Sequence, residues 1–289
     1  MAEILSGPLD VLASGFAYAE DPRWHDGRLY FSDMYGGKVH SVDSSGTVET
    51  VLDLNEAAPS GLGFMPNGDL LVVSMFERRL LRVGQSGITK HANLTPLASH
   101  SINDMVVDRV GRAYVGQSGF DYWAGEEARP SPLIAVEPDG SVSVAAADLL
   151  VANGVVITED GQTLIVAETL GHRMSAFDID ASGKLSNRRI FAVLPDGHMP
   201  DGICLDAKGG VWAACPSGLG VARFERGGLL THIVPLPEPH RAFACMLGGA
   251  DRRTLFICTS QTSDRAAAPK MRSSRILQLP VDFEGSGLP

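Results

Sequence analysis

Four oxygen-bearing side chains recur at one spacing along the chain. Glu20 stands seven residues before Gly27, and Asn103, Asn153 and Asp201 each stand eight before Gly111, Gly161 and Gly209. Taken singly, an Asp or Asn near a glycine is an ordinary turn residue. Two carboxylates and two amides held together in a protein interior are a different matter, because the carboxylates repel and lose hydration unless a cation or donors compensate. An all-oxygen set without His or Cys selects a hard cation: Ca2+ leads, with Mg2+ or Mn2+ behind and Zn2+ admissible because carboxylates also accept it. Such an ion can polarise an ester carbonyl, acidify water and stabilise the oxyanion of a tetrahedral intermediate. Asp201 is expected to orient or deprotonate the attacking water, the alternative being that it serves only as a ligand.

These residues meet only if the chain folds so that one register converges. The four glycines, with Gly68, belong to a series of turn signals such as Pro66-Asn67-Gly68 and Glu159-Asp160-Gly161, where glycine supplies the positive φ of a hairpin. A second series lies at Gly46, Gly87, Gly140, Gly183 and Gly227, displaced from the first by 19, 19, 29, 22 and 18 residues. Successive first-series glycines are 41, 43, 50 and 48 residues apart, the period of four-stranded propeller blades. The runs between turns are short and rich in Leu and β-branched residues, with no helical stripe. Five units extend from Glu20 to about Pro239, and a sixth starts near Phe243 and has three strands. Residues 9–17 form an extended apolar run with no unit of their own. The expectation is an all-β, six-bladed β-propeller, one domain over residues 1–289, with the ring closed by the N-terminal strand completing the last blade. The first strand of each blade lines the channel, so the four oxygens face one another on the axis.

Composition agrees. The chain is 44% hydrophobic and 20% charged, an ordinary globular balance with material for a sizeable core. A net charge of −10 repels phosphate backbones and anionic membrane surfaces, so neither nucleic acid nor membrane is an expected partner. The N-terminus has no basic start or long apolar run, and no segment approaches the roughly 20 apolar residues of a span; a cytoplasmic location is expected. Cys204, Cys215, Cys245 and Cys258 lie in strand-like apolar runs and read as reduced core thiols, a Cys204–Cys215 bridge being the alternative in an oxidising compartment.

The motifs Ala19-Glu20-Asp21-Pro22-Arg23-Trp24, Ile102-Asn103-Asp104 with Asp108 and Gly111, Ala152-Asn153-Gly154, and Pro200-Asp201-Gly202 with Val211-Trp212 resemble those of the SMP-30/gluconolactonase/luciferin-regenerating enzyme family. The resemblance runs from about Gly15 to Leu279. It implies a six-bladed propeller, metal ligation by Glu20, Asn153 and Asp201, and a role for Asn103 in contacting the metal directly or through water and in holding substrate. Family members hydrolyse lactones or, in a related branch, the phosphorus–fluorine bond of organophosphates. The function expected is therefore that of a divalent-metal-dependent lactonase. Organophosphate hydrolysis on the same site, or a non-enzymatic binding propeller with a structural ion, are the alternatives. No Gly-x-Ser-x-Gly elbow points to a serine nucleophile.

Substrate contacts are expected from the loops. An insertion at residues 117–132 carries Phe120, Asp121, Tyr122 and Trp123 and reads as a lid over the metal, or else as a dimer contact. His172 and Arg173 occupy the corresponding loop of the fourth blade, where either could take a substrate carboxylate or hydroxyl. Residues 259–272 read as a mobile solvated rim, and His198 as an edge of the pocket. Sugar-lactone members often carry arginine two residues before the Asn-Asp pair, where this chain has Ser101. The missing guanidinium and the aromatic lid together point to a small-molecule lactone or ester less polar than gluconolactone. A monomer or homodimer is expected.

Overall fold

A computed structural model describes residues 2–55 and 57–288. Its strands make six antiparallel blades, and the expected six-bladed propeller is found. The inner strands are Ala19–His25, Pro59–Phe64, Ile102–Val107, Ala152–Ile157, Ile203–Asp206 and Arg241–Gly248, and each touches the inner strands on either side around the ring. Hairpins join them to their neighbours at the expected turns; at the first, Asp26 and Gly27 both have positive φ, 46° and 77°, the primed geometry that matches strand twist. Buried Val, Leu, Ile and Ala fill the spaces between blades, while the outermost strands are exposed or half-buried along most of their length.

The N-terminal closure is also found: Asp10–Phe16 is the fourth strand of blade 6, antiparallel to Ser274–Pro280. The chain then enters blade 1 across a stapled seam. The buried Asp33 carboxylate accepts hydrogen bonds from the Ala17 and Tyr18 amides at 3.2 and 2.8 Å, and the Ser274 hydroxyl accepts one from Ala19 at 2.8 Å. Trp24 of blade 1 stacks on Phe256 of blade 6 with ring centroids 5.5 Å apart. Two short strands go beyond the expectation. Glu3–Ile4 adds in parallel to the outer edge of blade 5, and Gly285–Ser286 adds to its inner edge. The C-terminal tail thereby crosses the turn end of the ring, bonding Ala207 and Ile157 on the way. Two-residue pairings carry no periodic signal, so sequence pattern cannot find them.

The opposite end of the inner strands is irregular. Register is lost between Glu20 and Arg23, Pro59 and Leu62, Ile102 and Met105, Ala152 and Val155, and Ala242 and Ala244. Bulges of this kind re-aim side chains, and three of them fall at Glu20, Asn103 and Asn153, whereas Asp201 stands just ahead of the regularly paired strand Ile203–Asp206. The glycines of Asn153-Gly154 and Asp201-Gly202 lie here and not in turns. A Cβ on Gly154 would stand 2.5 Å from the Ile203 nitrogen and 2.7 Å from the Asp201 carbonyl oxygen; one on Gly202 would stand 2.5 Å from the Ala244 Cβ. Neighbouring inner strands bond directly through this gap, Gly202 donating to the Phe243 carbonyl at 2.8 Å. The four cysteines are buried and free, and among the described residues no helix is long and apolar enough to cross a membrane.

Removal of residues 1–16 leaves blade 6 with three strands and an open seam, and the expected result is loss of the cooperative melt; an unchanged melting temperature would refute closure by this strand. Gly154→Ala is expected to cost about 1–3 kcal/mol in denaturant titration through overpacking between blades 4 and 5, whereas a turn glycine such as Gly161, with open space around it, has no such crowding.

Candidate active site

A cavity of about 690 Å³ opens at the bulged end of the ring, and Glu20, Asn103, Asn153 and Asp201 all line it. Each comes from a different blade. Asn153 is oriented by its neighbour: its Nδ2 donates to the Thr169 hydroxyl at 3.2 Å, and that hydroxyl donates to the Pro200 carbonyl at 2.9 Å, which leaves the Asn153 Oδ1 free for the cavity. Asn103 is held the other way, its Oδ1 accepting from the Ser60 hydroxyl at 2.8 Å, so that its Nδ2 is available as a donor. The Asp201 backbone is fixed by donation to the Ala214 carbonyl at 2.9 Å.

The electrostatics follow from burial. Glu20, Asp21, Asp104 and Asp201 are all buried, and Arg23 is the buried cation beside them. Arg23 pairs with Asp21 at 2.7 Å and also donates to the Leu62 carbonyl at 3.0 Å and the Met105 carbonyl at 2.6 Å, so one guanidinium ties blades 1, 2 and 3 beneath the cavity. Neither Glu20 nor Asp201 has an ion-pair partner among the described residues. Desolvation, followed by repulsion from Asp201 and Asp104, pushes the Glu20 carboxyl well above its usual range. Desolvation and Asp104 do the same to Asp201, against a partial offset from the Asn153 amide. Asp104 itself is raised by burial to about 6, with Arg23 opposing. Two buried carboxylates without an ion-pair partner, with two amide side chains beside them on the same cavity, suit a hard divalent ion. No group of three or more His, Cys, Asp or Glu side chains with ligand geometry occurs among the described residues, so an ion here needs the amide oxygens as well.

The loops divide the other expected residues. Tyr122 and Trp123 line the cavity, half exposed, whereas Phe120 is buried beneath them. Asp121 does not line the cavity either; its carboxylate accepts from the Ala124 amide at 3.0 Å and faces His100 at 3.6 Å. Arg173 is drawn away by the fully buried Glu168, which it meets at 3.0 Å, with Arg188 on the same carboxylate at 2.8 Å. His172 points its Nδ1 at the His198 carbonyl, 3.2 Å away, and His198 bonds Ser217; neither histidine lines the cavity. Ser101 does, paired with Ser118 at 3.0 Å.

Residues 259–272 are mostly exposed, as a solvated rim is, and carry local order: the Asp264 carboxylate accepts from the Ala266 and Ala267 amides at 3.0 and 2.7 Å just before the short helix Ala268–Met271, Ala268 is fully buried, and Arg265 lies 4.1 Å from the centre of the Phe76 ring. Phe76 in turn meets Trp123 at 5.3 Å, so the loops of blades 2, 3 and 6 form one continuous wall. Several cavity residues escape the spacing rule. Ser60 stands eight before Gly68 and obeys the same count. Phe243 and Arg241 do not, because the sixth blade turns through Gly249 and Arg252 at a different spacing. Tyr18, Met34, Tyr35 and Met75 come from loops and strand ends whose apolar character alone does not set them apart from core.

Residues 18–261 match the SMP-30/gluconolactonase/LRE-like region. A regucalcin from Danio rerio is 31% identical over 253 residues, 83% of this chain and 82% of the relative. A 6-deoxy-6-sulfogluconolactonase from Pseudomonas putida is 27% identical over 242 residues, 83% and 81% of the two chains. The solved structure of a gluconolactonase from Xanthomonas campestris superposes with a TM-score of 0.76 at 28% identity, covering 96% of this chain and 91% of that one. With that match spanning most of its length and including all four hub residues, the chain belongs to the SMP-30/gluconolactonase/LRE-like family.

Proposed function

We propose that this protein opens the ring ester of a lactone by addition of water, using a divalent cation, Ca2+ by preference of the donor set, held by Glu20, Asn153 and Asp201 with Asn103 beside them. The observation that carries the reading is the pair of buried carboxylates, Glu20 and Asp201, on the wall of an open cavity, neither with an ion-pair partner among the described residues. The P. putida and X. campestris relatives, both named as lactonases, support the same chemistry. When bound, the cation supplies Lewis-acid polarisation of the carbonyl and acidifies water.

The chain's own groups do the rest. The Asp201 carboxylate holds the attacking water and takes its proton as the new C–O bond forms. The Asn103 Nδ2 donates to the carbonyl oxygen, a bond that strengthens as that oxygen gains negative charge. Collapse breaks the ring C–O bond, and the proton held by Asp201 passes to the departing alkoxide oxygen, giving a hydroxy acid. Met34, Met75, Tyr122, Trp123 and Phe243 form an apolar wall, and blade 3 offers only the Ser101 and Ser118 hydroxyls where an arginine would grip a sugar. The substrate is accordingly a lactone with fewer ring hydroxyls than gluconolactone, the apolar wall taking its hydrocarbon part.

In a pH-stat screen of aliphatic, aromatic and sugar lactones, acid release is expected that stops on chelation and returns with Ca2+, Mn2+ or Zn2+; silence across all three classes would favour a binding propeller. Asp201→Asn is expected to lower kcat by about 100-fold or more, the scale of a lost general base, while calorimetry still detects cation binding. Undiminished turnover in that variant would leave Asp201 as a ligand and no more.

A further inference from the structure

The register of Glu20 repeats around the ring as Ser60, Asn103, Asn153, Asp201 and Phe243, and two residues earlier, one tier nearer the mouth, the ring reads Tyr18, Ala58, Ser101, Val151, Met199 and Arg241. All of this upper tier except Ala58 lines the cavity, and Arg241 is the one Lys or Arg that does so among the described residues. It stands on blade 6, three blades round from Ser101 on blade 3, and therefore across the mouth from it. The Ser101 and Ser118 hydroxyls, 3.0 Å apart, can satisfy each other, so no cation is on offer from that side.

Arg241 has donors to spare. Its Nη1 meets the Glu238 carboxylate at 2.7 Å, while Nε and Nη2 have no hydrogen-bond partner among the described residues. The Glu238 side chain is 73% exposed and that of Arg241 37%, a surface pair of little net worth, readily exchanged for an anion inside the cavity. The planar guanidinium fork matches the two oxygens of a carboxylate. Gln261 and Thr262 line the same side and add polar groups at its flank.

We infer that Arg241 forms a carboxylate-recognising subsite at the mouth of the cavity, and that the preferred substrates are lactones whose ring bears a carboxylate directed to blade 6. The choice of a lactone rests on the reading above; the anion subsite does not. It places the charged substituent opposite Ser101 and leaves the apolar wall for the ring's hydrocarbon face.

The test separates the two. Cyclopentanecarboxylate and cyclopentanecarboxamide are titrated calorimetrically into the full chain, its Arg241→Gln variant and its Glu238→Gln variant, all in the same Ca2+ concentration. The unmodified protein is expected to prefer the carboxylate by about tenfold, the scale of a charge-assisted bond over a neutral one. Arg241→Gln should abolish the preference, and Glu238→Gln, which frees the guanidinium, should raise it. A preference that survives Arg241→Gln, or is absent from the unmodified protein, overturns the subsite. Neutral γ-lactones and their γ-carboxylates are assayed alongside. Loss of all hydrolysis with the binding preference intact refutes the lactonase reading and leaves the subsite standing; hydrolysis without the preference does the reverse.

Discussion

Concentrated negative charge in a place with little water is the constraint around which this propeller is organised. Glu20, Asp21, Asp104 and Asp201 are buried within one narrow hub, and Arg23 is the cation that the fold itself supplies there. Arg23 answers Asp21 directly and bridges three blades through backbone carbonyls, which makes the lower level of the hub a structural joint. The level above has no such answer. Burial and mutual repulsion act on Glu20 and Asp201 together, and the neighbouring amides are turned so that one presents oxygen and the other nitrogen. A charge imbalance of this kind is costly to keep, and it is intelligible where an exogenous cation restores the balance on demand.

The blade architecture is what brings such remote residues together, and it does so by a repeated local distortion. The inner strands that supply Glu20, Asn103 and Asn153 depart from regular pairing near their starts, Asp201 sits just before its strand, and the glycines that follow Asn153 and Asp201 let adjacent strands approach to hydrogen-bonding distance. Under the proposed function this ring carries its groups in tiers: a register of oxygen donors on one level, and two residues outward a register of cavity-lining side chains that differs from blade to blade. Tyr18, Ser101, Met199 and Arg241 belong to that second tier and have little in common chemically. Scaffold and specificity are thus set by different positions on the same strands.

Much of this was legible in the order of residues, for a definite reason. Turn glycines are constrained by φ, so their spacing counts blades whatever fills the strands between them, and counting back from them locates the hub. The count fails in blade 6, where the turn is built differently, and Arg241 was invisible for that reason. Loop residues were harder still. Arg173 has the chemistry of a substrate contact, but a buried carboxylate directly opposite it on the adjacent strand, Glu168, claims it, and only packing reveals that competition. Asp121 is spent on its own turn. The segment 259–272 reads as polar and irregular and is mostly exposed, yet the Asp264 turn and the Arg265–Phe76 contact, which pattern alone does not reveal, join it to the wall. A side chain's type tells what it can do; its nearest unsatisfied neighbour decides whether it is free to do it.

The bridging guanidinium beneath the hub has a kinetic side. Arg23 spans blades 1, 2 and 3 at that depth, and residues 285–286 pair across the far end of the ring, so both narrow the axis beneath the cavity. Under the proposed function, ester entering and acid leaving would share the cavity's mouth, and traffic through it would govern how soon the next molecule is admitted.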